Sequence, residues 1–104
     1  MEIKEIKEML MATGLPVAYD HFKEQTDPPF LVYLLPENRN IVADDCIYQP
    51  KVLVRVELYT EKKDLELERK VETALADMVW TKTEVYIDSE DMFEIMYEME
   101  VMTE

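Results

Sequence analysis

The chain has 104 residues, with 24 Asp or Glu against 11 Lys or Arg, so it carries a formal charge of −13 at neutral pH. That length fits one domain spanning residues 1–104, with a modest core and a radius of gyration of roughly 13 Å. The charge opposes unaided gripping of a nucleic-acid backbone. No run approaches the ~18 apolar residues of a membrane span, and one cysteine, Cys46, excludes a disulfide scaffold.

Apolar residues make up 48%, too many for a disordered acidic tail. The single glycine, Gly14, excludes glycine-rich phosphate cradles and dinucleotide fingerprints. The opening residues alternate in charge and lack the pattern of a secretory signal, so a cytosolic protein is expected.

The first ten residues read as a helix. Ile3, Ile6 and Leu10 recur at helical spacing, and Gly14 and Pro16 end the segment. Lys4 and Glu8 are placed to pair on its exposed side. Val17, Tyr19 and His21 alternate as a short strand, which the segment up to Pro28-Pro29 breaks. Phe30 to Leu35 is an apolar run of strand length, and Pro36 to Asn40 carries the clearest turn signal. Ile41 to Ala43 is a brief pairing segment before Asp44-Asp45.

Ile47 to Tyr59 is a long strand interrupted near Pro50. Val52, Val54, Val56 and Leu58 point one way, and Lys51, Arg55 and Glu57 the other. A second helix starts at an Asp64 cap, with Leu67, Val71, Ala74, Leu75 and Met78 as its apolar stripe. Glu66 and Lys70 are spaced to pair on it. Val85 and Ile87 then alternate with Glu84, Tyr86 and Asp88, and Ser89-Glu90-Asp91 is a turn. Phe93, Ile95, Tyr97, Met99 and Val101 form a final strand opposed by Glu94, Glu98 and Glu100. Met92, Ile95, Met96, Met99 and Met102 also match helical spacing, so a terminal helix is the competing reading. The predicted class is α+β: an antiparallel sheet of about four to five strands packed with two helices, in the order α-β-β-β-α-β-β.

Chemistry is sparse. His21 stands alone, Cys46 has Asp44 and Asp45 beside it to discourage a thiolate, and Ser89 lacks a nucleophile elbow. Asp88, Glu90 and Asp91 miss the glycine and closing glutamate of a calcium loop, and zinc has no ligand set. No catalytic residue, metal or cofactor is expected. Met96 and Met102, on the acidic face of the last strand, are candidate interface residues. From Glu84 to Glu104 there are eight acids and no basic residue.

Several segments together resemble a known family. They are Gly14-Leu15-Pro16-Val17-Ala18-Tyr19, Pro28-Pro29-Phe30-Leu31-Val32-Tyr33-Leu34, Ala43-Asp44-Asp45-Cys46-Ile47-Tyr48, the stretch from Val56 to Asp64, and the acidic, aromatic end from Phe93 to Glu98. The chain resembles the small tail-completion proteins (tail terminators, minor tail or head–tail joining proteins) of phages and prophages of Gram-positive bacteria. It departs from the pattern at Cys46-Ile47, where an asparagine-like residue is usual.

The resemblance implies a non-enzymatic subunit of a self-assembled ring, commonly a hexamer, that stops tail-tube growth and meets the head connector. DNA would pass through without specific binding. Location would be the host bacterial cytoplasm during assembly, and the virion tail or neck afterwards. A ring needs two different contact patches. The expected elements are the Tyr19-to-Pro29 loop, with Tyr19, His21, Phe22, Pro28 and Pro29, and the Pro36-to-Asp45 region, with Arg39, Asp44 and Asp45. Glu84, Asp88, Glu90, Asp91, Glu94, Glu98 and Glu100 are expected to face the lumen or a partner, where they would repel passing DNA. The competing class is a small acidic inhibitor that mimics DNA and binds a basic protein. Lys62, Lys63, Arg69 and Lys70, interleaved with acids on the second helix, weigh against it.

Overall fold

A computed structural model describes residues 1–103. Helix α1 spans Ile3–Met11 and is capped by Glu2, whose N–H donates to Glu5 Oε1 at 3.3 Å. It ends where Gly14 takes φ +83 and Thr13 Oγ1 donates to the Leu10 carbonyl at 2.6 Å. Strands β1 (Val17–Tyr19), β2 (Phe30–Asn38), β3 (Ile41–Ala43), β4 (Cys46–Gln49) and β5 (Lys51–Thr60) follow, then helix α2 (Leu65–Ala74), β6 (Trp80–Ile87) and β7 (Met92–Met102).

Five strands form one sheet in the order β1-β2-β5-β7-β6, and β3-β4 is a separate hairpin. Both helices pack on one sheet face. Ile6 and Leu10 of α1 meet Val71 and Leu75 at the α2 end over Leu31, Val54, Val56, Leu58, Ile95 and Tyr97, all in the core. Fully burying each aliphatic side chain contributes about 1.5–3 kcal/mol, and this supports helices too short to stand alone.

The α+β class, the two helices and the terminal strand are as expected, with three departures. First, β1 pairs parallel to β2, so the sheet is mixed. Asp20 turns to φ 64 and ends the strand, which leaves His21 in the following loop. Second, β2 runs on through Pro36 to Asn38. The ladder shifts between Leu34 and Glu37, and a proline is tolerated at such an irregularity because no ladder N–H is required there. The tight turn is instead Asp44-Asp45, with φ 53 and 62, the left-handed pair of a two-residue hairpin. Third, Ile41–Ala43 is a strand in its own right and Pro50 divides the long strand into β4 and β5, so seven strands stand where the predicted order has five.

Two expected helix pairs are replaced: Lys4 meets Glu2 at 3.3 Å, and Glu66 and Lys70 form no ion pair among the described residues. The molecule is long, 48 × 27 × 25 Å, with a radius of gyration of 14.8 Å.

Candidate assembly interface

The sheet face away from the helices is built by register. Opposite residues of antiparallel strands share a face, so pairing of Arg55 with Glu98, Glu57 with Met96 and Tyr59 with Glu94 brings the outward side of β5 against the acidic side of β7. Glu98 accepts from Arg55 at 3.0 and 3.1 Å. Glu100 meets Lys51 at 3.1 Å and Arg39 at 3.2 Å, and Arg39 also holds Glu37. Two of the acids that looked unopposed in sequence, Glu98 and Glu100, therefore have cations brought to them from elsewhere in the chain. Their partners hold the Glu100 carboxyl below the ordinary range, Lys51 chiefly.

Further along this face Tyr59 Oη lies 3.1 Å from Glu57 Oε1 and 3.0 Å from Glu94 Oε2. One hydroxyl proton cannot donate to both carboxylates, so a second proton satisfies the set. Partial burial, with Glu94 adding to it, pushes the Glu57 carboxyl up to about 7. Burial also raises the Tyr59 hydroxyl, which stays protonated as the donor. Phe22 and Phe30 meet edge to face at 5.2 Å, and Phe30 stacks on Tyr59 at 5.0 Å. Those contacts fasten the His21-to-Pro29 loop to the sheet, and the Pro28–Pro29 bond in it is cis.

The proposed acids do not share one face. Glu84 pairs in register with Ile95, a core residue, so it lies on the helix side and is held by Lys63. Glu94, Glu98 and Glu100 lie on the opposite side. Asp88, Glu90 and Asp91 occupy the β6–β7 turn, where Asp91 takes φ 52 and accepts from Tyr86. Glu104 lies outside the described residues. Among the described residues no group of three or more His, Cys, Asp or Glu is arranged around a metal position.

Beside Glu84 is a buried charge the sequence reading missed. Glu68 of α2 is 1% exposed, with Lys63 and Lys82 each 2.7 Å from a carboxylate oxygen. Lys82 also meets Glu72 at 2.7 Å, and Glu72 accepts from Tyr97 at 2.8 Å. Burial pushes the Glu68 carboxyl up, but the two lysines outweigh it and hold the group below its ordinary value. The signal was available at Leu67, Val71 and Leu75, because position 68 falls on the same inward side of that stripe.

The remaining interface candidates fall at separate places. Tyr19 is half exposed, its ring 5.3 Å from Tyr33 and its hydroxyl accepting from the Leu35 N–H at 3.3 Å. His21 Nδ1 lies 2.9 Å from Asp20 on the surface. Pro28 is half-buried and Pro29 exposed. Met96 is half-buried at the middle of the open face, and Met102 is exposed at its end. Asp44 and Asp45 form the hairpin tip.

Sequence comparison finds no matching family model and no matching curated protein. Among solved structures the fold is similar to a chain of the "Virion of native gene transfer agent (GTA) particle", with a TM-score of 0.54 and 10% identity over 91% of this chain and 84% of that one. What is shared at that identity is the fold.

Proposed function

We propose that this chain is a structural subunit of a phage-type particle: a tail-completion protein that forms a ring at the tail end, stops tube growth and joins the tail to the head. The carrying observation is the fold shared with a gene transfer agent virion chain over nearly the whole of both chains. The segment resemblance to tail-completion proteins of Gram-positive phages and prophages supports the same place in the particle. In this reading the partners are further copies of the chain, the tube protein and the head connector. The subunit acts by geometry, with no catalytic residue, in the host cytoplasm and then in the virion neck.

The alternative of a DNA mimic is weakened by the open sheet face, where Arg39, Lys51 and Arg55 already occupy Glu37, Glu98 and Glu100. A phosphate mimic presents its carboxylates free to a basic cleft. The test is to mix the protein with purified tail tubes and view them by negative-stain microscopy. Added density at one end, with elongation stopped, supports the reading. Unchanged growth with bare ends overturns it, and salt-sensitive binding to a restriction or recombination enzyme would favour mimicry.

A further inference from the structure

Among the described residues, hairpin β3–β4 has no neighbouring strand. A lone two-stranded hairpin is marginal in water, yet this one exposes Val42, Ile47 and Tyr48 to 63, 60 and 77%. Both of its outer edges carry unpaired backbone groups, which template a further strand. The body offers one long counterpart. Strand β6 has eight residues and among the described residues pairs only with β7, and Thr81 to Tyr86 are all exposed. The three- and four-residue hairpin strands fit within that length.

Side chains beside this edge match the arm in character. On α2, Leu65 and Arg69 stand four apart and lie on the side of Glu72, which is tied to Lys82 of β6. Leu65 is exposed, and Arg69 makes no ion pair among the described residues. The hairpin tip brings Asp44 and Asp45, which likewise have no cation beside them among the described residues.

We propose that the β3–β4 hairpin is an arm that adds to the β6 edge of a second copy of this chain, its apolar side chains meeting Leu65 and Tyr86 and its acidic tip meeting Arg69. The two patches differ, so the contact is heterologous and repeats from copy to copy, closing into a ring or continuing as a filament. It deepens the tail-end reading by naming the contact between copies, and rests on that reading only for closure of the ring.

Cys46, exposed at the start of β4, is a native probe. Thr83 pairs with Met96 and so sits level with Glu57, six residues along β5 from the hairpin base at Lys51. The hairpin base is therefore roughly 20 Å from Thr83 along the sheet, and a link within one chain, which leaves a monomer, is told apart from a link between copies by the lack of a ladder. In the full chain carrying Thr83→Cys, concentrated and mildly oxidised, a disulfide between Cys46 of one copy and the introduced sulfur of another should appear as a ladder, located by peptide mass mapping.

Adding Val42→Thr, Ile47→Thr and Tyr48→Thr should reduce that link at least tenfold with an unchanged thermal midpoint, because these side chains lie outside the core. Only Cys46–Cys46 links, no link, or a mixed link undiminished by the triple substitution would overturn the proposal. So would wild-type tube capping by the triple variant, and that result would leave the tail reading intact. The mixed link without any tube capping would refute the tail reading and sustain the arm.

Discussion

Glu68, Glu57 and Thr60 show how individual side chains set the balance of this fold. Lys82→Met leaves the buried Glu68 carboxylate with Lys63 alone and should cost about 2–3 kcal/mol in chemical denaturation, because breaking a buried pair strands a charge. Glu57 acts in the other direction. Its folded pKa of about 7 lies above the ordinary 4.5, so the stability it lends is full below 4.5 and is lost as pH rises through about 7. Glu68 and Glu72 have lowered values, so their contribution is present above the ordinary carboxylate range and is lost as pH falls through the folded values. Denaturation midpoints followed against pH should therefore fall between 4.5 and about 7 in the wild type and level out in Glu57→Gln. The difference should be about 1 kcal/mol, discounted for the group's solvent access. Thr60 Oγ1 is buried without a hydrogen-bond partner among the described residues, and Thr60→Val should stabilise the protein by about 0.5–1 kcal/mol in the same assay.

At the scale of elements, four aspartates do what glycine does in most chains. Asp20, Asp44, Asp45 and Asp91 all have positive φ, while the one glycine ends α1. A short polar side chain tolerates that region, although glycine is more comfortable there. Asp45→Gly should firm the β3–β4 turn, measured as slower amide exchange in the hairpin, and Gly14→Ala should lower stability by about 1 kcal/mol. Alternation and helical stripes made α1, α2, β5 and β7 legible in sequence. Pro36 misled because a bulge can absorb a missing donor, and His21 misled because alternation cannot show that Asp20 turns the backbone. The acids of β7 were legible as a face, but their cations were not. Pairing Arg55 with Glu98 depends on a register between segments 43 residues apart. The candidate interface was legible as loops and exposed charge, and Glu68 escaped because residue type argued for exposure while helix phase argued for burial.

For the whole molecule, a charge of −13 works against the association of copies as a whole. Pairing within the open face and around Glu68 lowers the local field without changing that total. Self-association should therefore strengthen with salt, as screening within about 8–10 Å mutes the repulsion between copies. Light scattering or sedimentation across a salt series tests this, and weakening with added salt would contradict it. The chain's one tryptophan gives such experiments an internal signal. Trp80 is half-buried at the start of β6, set edge-on to Tyr97 at 5.2 Å. Tyr97 in turn holds the carboxylate of Glu72. All indole emission thus arises from one place, where a strand edge open to a second molecule meets the charge network beneath α2. A shift in its colour or quenching would report both the arrival of another copy and the protonation of that network, with no label attached.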